Sequence, residues 1–191
     1  MLKRTLAPSA RGHDPDFRPP RVQNNGELLR DGRLSPSLTW IGHATTLLQI
    51  GGWNVLTDPI YTDRLFLIPR RAPPGVALAD LPPIDVVLIS HDHIDHLDED
   101  TVRALRDRRF GSGTLFVAPL GVGAWLRAHG ITRVVELDWW QSVSTGDRYP
   151  DPSSNRAPDS SPDLIPPRVS RQPLAITLVP ARHWGDRKSV V

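Results

Sequence analysis

A short apolar run that ends in a histidine cluster constrains this chain more than any other feature. Asp85-Val86-Val87-Leu88-Ile89-Ser90 is continuous and β-branched, the composition of a strand buried on both faces. It runs directly into His91-Asp92-His93-Ile94-Asp95-His96, which packs three imidazoles and two carboxylates into six residues. Side chains two apart on an extended segment point the same way, so His91 and His93 can reach one metal ion. Asp95 and His96 fall where the chain turns toward the next element, and they can face a second ion across the same cavity. Neutral imidazole and carboxylate together suit zinc, and also iron or manganese. The rival reading is a solvated polar turn, which would gather three of the chain's seven histidines without a chemical reason.

The segments around this strand alternate in type. Leu38 to Ile50 and Trp53 to Thr57 are β-rich runs joined across Gly51-Gly52, which predicts a hairpin. Asp98 is placed to cap a helix over 99–109, with Glu99 and Asp100 complementing its first turn and Val102, Leu105 and Phe110 forming the inward stripe. A strand at 114–118, a helix at 120–129 stopped by Gly130 and a strand at 133–137 follow. Strand, helix, strand, helix, strand points to an α/β arrangement with helices laid on a sheet. Leu174 to Val179 is again strand-like, and His183 leaves its end as His91 leaves the end of its own strand. Two stretches lack such patterns: residues 1–37 read as an irregular N-terminal arm, and 146–173 as a Pro/Ser-rich disordered insertion in a domain spanning 38–191.

Composition narrows the function classes. With 191 residues and 39% hydrophobic content the chain supports one ordinary domain. A net charge of +2 without a basic stripe argues against nucleic acid as a partner. The absence of cysteine removes thiolate ligands, leaving histidine and carboxylate as the donor set. No apolar stretch reads as a signal peptide or a membrane span, so a cytoplasmic location is expected.

Several ordered segments together resemble a known family. His91-x-His93-x-Asp95-His96 after a buried strand resembles the signature of the metallo-β-lactamase superfamily. Trp40-Ile-Gly-His-Ala-Thr45, Leu56-Thr-Asp-Pro59, Leu81-Pro-Pro-Ile-Asp85, Glu136-Leu-Asp-Trp-Trp140 and Pro180-Ala-Arg-His183-Trp184 narrow the resemblance to the N-acyl-phosphatidylethanolamine-hydrolysing phospholipase D branch. The resemblance implies an αβ/βα sandwich, of which mainly the N-terminal half is present. It implies two zinc ions at the sandwich edge, sharing a hydroxide that attacks the phosphorus of a lipid or small-molecule phosphodiester, with peripheral membrane contact as an open expectation. Carried over by position, His91, His93 and His183 would hold one ion, and Asp95 and His96 would begin the second site. Asp95 would also be catalytic, steering the proton of the attacking water.

Other residues carry two readings each. His43 is near the site by resemblance, or is a hydrogen-bonded core histidine. Asp58 orients a ligand histidine from behind, or makes an Asx turn before Pro59. Trp139 and Trp140 shape a lipid-facing groove, or are packing residues. His13 and His129 read as exposed, and Asp92 as solvated. The resemblance also calls for a bridging aspartate in a Gly-Asp-Thr-Gly segment and a last histidine, and the sequence has neither. Asp186 follows His183 on one element and is a poor substitute bridge. The expectation is therefore a truncated or partial form of a longer hydrolase. The alternatives are an inactive or metal-binding-only fragment and a lactonase-like hydrolase of the same superfamily.

Overall fold

The computed structural model describes residues 24–32, 36–65, 68–108, 111–145 and 171–181. A six-stranded mixed sheet organises them. β1 (Ser37–Gly42), β2 (Thr45–Ile50) and β3 (Trp53–Thr57) form an antiparallel meander. β6 (Val86–Leu88), β7 (Leu115–Pro119) and β8 (Val134–Leu137) then extend β3 in parallel. A two-residue pair, β4 (Arg64–Leu65) with β5 (Ile68–Pro69), lies outside this sheet. Parallel neighbours need crossovers, and α2 (Glu99–Asp107) and α3 (Val122–Ala128) supply those from β6 to β7 and from β7 to β8.

The central strands are apolar on both faces because both are covered. Leu56, Val87, Phe116 and Ala118 face a core closed by Val102 and Leu105 of α2 and by Val122 and Leu126 of α3. Their sequence neighbours Val55, Val86, Leu115 and Val117 pack on the other side, against Val143 and Ile176. Those two belong to a small antiparallel ribbon, β9 (Ser142–Ser144) with β10 (Ala175–Thr177). Asp98 caps α2 as its position predicts, its carboxylate accepting from Thr101 N at 3.1 Å and Thr101 Oγ1 at 2.5 Å.

Four local expectations meet the described residues. The run 38–50 is two strands rather than one, broken at His43, whose φ of 50° turns the chain. Within the arm predicted over 1–37, residues 27–31 form α1 (Glu27–Asp31), and its Leu29 is buried; Gln49 Nε2 donates to the Leu29 carbonyl at 2.6 Å and ties the helix to β2. Of the insertion predicted over 146–173, residues 171–173 are described and held in place: Trp53 Nε1 donates to Gln172 O at 2.7 Å, and Arg171 pairs with Asp85 at 3.0 Å. Residues 146–170 lie outside the described residues. His129 is half-buried rather than exposed, its ring 3.9 Å from Trp125 and its Nε2 3.4 Å from Glu99.

Register decides where a site can form. Thr57, Leu88 and Val117 are level across β3, β6 and β7, so β3 and β6 end together while β7 runs on to Pro119. Thr46 pairs with Thr57, which brings the His43 turn to the same edge. Crevices outside the carboxyl ends of parallel strands are where α/β sheets place their ligands.

Candidate metal centre

The residues just past the ends of β3 and β6 meet first. Asp58 follows β3 in a left-handed conformation, φ 35°, which aspartate tolerates better than most residues. Its backbone is clamped, the N–H donating to Leu88 O at 2.8 Å and the carbonyl accepting from Thr45 Oγ1 at 2.8 Å. The carboxylate therefore points at the segment leaving β6. Oδ1 accepts from Ser90 N at 2.7 Å and Oδ2 from Ser90 Oγ at 2.6 Å; Oδ2 also lies 2.9 Å from His96 Nδ1.

The histidine loop is fixed at both ends. Ile89 N donates to Val117 O, continuing β6 against β7, and Asp98 begins α2. Between them His96 N and Leu97 N both donate to His93 O, at 2.9 and 2.8 Å, and this tight turn folds Asp95 and His96 back over the strand end. The rings gather as a result. His91 lies 4.6 Å from His93 and 4.1 Å from His96, centroid to centroid, and His43 lies 5.3 Å from His96. Asp92 and Ile94 alternate outward and are exposed.

His43 enters from the β1–β2 turn. Its carbonyl accepts from Trp40 Nε1 at 2.9 Å, which holds the turn, and its side chain is 50% exposed, so it is no core histidine. Its Nε2 is 3.2 Å from Asp95 Oδ2, and His96 Nε2 is 3.8 Å from the same oxygen. Burial works against the charge on Asp95, but its own backbone N–H and the neighbouring His96 and His43 outweigh it and hold the carboxyl below its ordinary range.

The donor set suits a metal of the zinc or iron kind. Donor atoms of His43, Asp95 and His96 all lie within 4.8 Å of one another. Ligands about 2.0–2.2 Å from one ion stand roughly 3–4 Å apart, so the spacing fits with little movement. His91 and His93 add imidazoles from the adjoining side of the loop. His183 and Asp186 lie outside the described residues, as does His13. Ser90 is the participant that the sequence did not single out. The available signal was its position as the only hydroxyl between the apolar strand and the first histidine.

Comparison with known proteins follows the same residues. A family described as a beta-lactamase superfamily domain matches residues 53–190. An uncharacterized protein of Mycobacterium tuberculosis (strain ATCC 25618 / H37Rv) is 41% identical over 158 residues, 79% of this chain and 35% of that protein. N-acyl-phosphatidylethanolamine-hydrolyzing phospholipase D 1 of Caenorhabditis elegans is 39% identical over 114 residues, 54% of this chain and 32% of that protein. The chain thus spans about a third of the length of these relatives. Among solved structures, CmlA, a diiron beta-hydroxylase from Streptomyces venezuelae, is 30% identical with a TM-score of 0.43, covering 56% of this chain and 21% of that one. With most of its length matched by the family, and with the strand-borne histidine cluster that the match contains, the chain belongs to the metallo-β-lactamase superfamily of metal-dependent hydrolases.

Proposed function

We propose that this chain carries the metal-binding part of a zinc-dependent phosphodiesterase of the N-acyl-phosphatidylethanolamine phospholipase D type. The observation that carries the reading is the convergence of His43, Asp95 and His96 on one sheet edge with donor atoms at single-ion spacing, and the His91 and His93 rings beside them. The 39% identity to the nematode phospholipase supports the choice of reaction. In this reading His91 and His93, with His183, hold one ion, and Asp95 and His96 hold the second. Bound ions would supply Lewis-acid activation of water and offset the charge that builds at phosphorus. Asp95 would orient that water and offer Oδ2, the oxygen it turns toward both His43 and His96, as the acceptor of its proton. Asp58 keeps His96 aimed from behind. The substrate is a lipid or small-molecule phosphodiester. Trp139 and Trp140, 43% and 71% exposed beyond the end of β8, support contact with a membrane surface. Among the described residues no helix is long and apolar enough to cross one.

Metal analysis by mass spectrometry after zinc repletion, with a chromogenic phosphodiester as substrate, tests the proposal. Zinc uptake with turnover is expected, and His93→Ala should abolish uptake. A chain that remains metal-free and inactive after repletion rejects the reading. The diiron relative names the rival metal, so iron repletion belongs beside zinc; faster turnover with iron would reassign the ion.

A further inference from the structure

Two of the clustered histidines have their protons placed by the bonds around them, and one hydroxyl joins the two placements. A backbone N–H can only donate, so Ser90 N gives its proton to Asp58 Oδ1 at 2.7 Å. The Ser90 hydroxyl has a single proton and gives it to Asp58 Oδ2 at 2.6 Å. Its oxygen can thereafter only accept. His91 Nδ1 lies 2.9 Å from that oxygen and must therefore carry a hydrogen. His96 Nδ1 lies 2.9 Å from Asp58 Oδ2, a carboxylate oxygen that donates nothing, so it carries one as well. In a neutral imidazole a proton on Nδ1 leaves the lone pair on Nε2.

We propose that Ser90 is a positioning residue of the metal centre: by spending its proton on Asp58 it compels His91 into the Nδ1–H tautomer and presents His91 Nε2 as a ligand, in step with His96. The role rests on the metal-centre reading for its effect on affinity, whereas the tautomer belongs to the metal-free protein. The relay also predicts selectivity. Ser90→Ala removes the acceptor at His91 Nδ1 but keeps the backbone N–H that orients Asp58, so His96 retains its carboxylate. Ser90→Thr keeps the hydroxyl.

Long-range proton–nitrogen NMR spectra of the metal-free, nitrogen-15-labelled chain report each tautomer, and competition with a chromophoric chelator reports zinc affinity. In the wild type both rings should be Nδ1–H. In Ser90→Ala, His91 should shift to a mixture with the Nε2–H form while His96 stays unchanged. Zinc binding should weaken about tenfold, the low end for lost outer-shell partners because water reaches the exposed Ser90 position. Ser90→Thr should restore both readouts. A wild-type His91 found as Nε2–H overturns the proposal without any variant. So does Ser90→Ala with an unmoved His91 tautomer and zinc affinity within twofold of wild type. Both rings as Nδ1–H in a wild type that takes up no zinc would support the relay and reject the metal reading instead.

Discussion

Asp58 and Asp95 are the same residue type at the same sheet edge, and they are held in opposite ways. The Asp58 side chain is 9% exposed and its carboxylate is bonded to Ser90 N, Ser90 Oγ and His96 Nδ1. The Asp95 side chain is 38% exposed and faces His43 and His96 at 3.2 and 3.8 Å. A buried carboxylate short of partners costs several kcal/mol, so Asp58 is tied to groups that cannot leave. An exposed one exchanges a histidine for water or an ion at little cost. The centre thus has a fixed half, which aims the rings, and an exchangeable half, which is free to bind.

The comparison breaks most visibly at Asp58. Asp58→Ala strands the Ser90 N–H, leaves His96 Nδ1 only the longer 3.4 Å contact with Ser90 Oγ, and puts alanine in a left-handed conformation that aspartate tolerates better. Lost charge-assisted bonds and unsatisfied donors together predict a loss of about 3 kcal/mol in folding stability, read by urea denaturation of the metal-free chain at pH 7. A loss below about 1 kcal/mol would mean that water replaces the carboxylate, and that the fixed half is not fixed.

The sequence exposes the two halves unequally. Helix α2 is legible because its signals are local: Asp98 caps it, and Val102 and Leu105 recur on one face. The parallel strands are legible because burial on both faces leaves an unbroken apolar run, as in Val86 and Val87. The break at His43 is not, since Gly42-His43-Ala44 sits inside a longer β-rich run and the turn depends on Trp40 Nε1 holding the His43 carbonyl. Strand β9 hides for a related reason: three residues, two of them serine, become a strand only through pairing with Ala175–Thr177. A five-residue α1 is too short to show a period. At the centre, His91 to His96 is contiguous and stands out, whereas the bond from Ser90 to Asp58 exists only because β3 and β6 pair with Thr57 opposite Leu88. No spacing along the chain encodes that register.

Glu136 offers an intermediate case, with a side chain 23% exposed. Its Oε1 accepts from Gly121 N and Gly123 N at 2.8 and 2.9 Å, and Gly123 lacks the Cβ that would collide with the carboxyl. The Gly123 N–H, then the Gly121 N–H and Arg127, hold the Glu136 pKa below its ordinary value against the opposing effect of burial. A folded pKa below the unfolded one gives stability that is present above the unfolded value, about 4.3, and is lost as pH falls through the folded value. Glu136→Gln should therefore cost about 1 kcal/mol at pH 7, and the gap from wild type should close as pH falls through the folded value. A gap that is constant with pH would assign the effect to shape rather than charge, and would remove Glu136 from the series.

The smallest effect belongs to His43. The His43–Asp95 pair is open to solvent on both sides, so His43→Ala in the metal-free chain should change stability by no more than about 0.5 kcal/mol, with even that difference fading in 0.5 M salt. The turn itself survives the change, because Trp40 bonds the backbone carbonyl and not the ring. His43→Gly separates the two contributions: it removes the same imidazole and also relieves the φ of 50°, so it should be at least as stable as His43→Ala. A cost above about 2 kcal/mol for His43→Ala would put Asp95 in the same class as Asp58. The exchangeable half would then be structural, and an ion arriving there would have to displace a bond on which the fold depends.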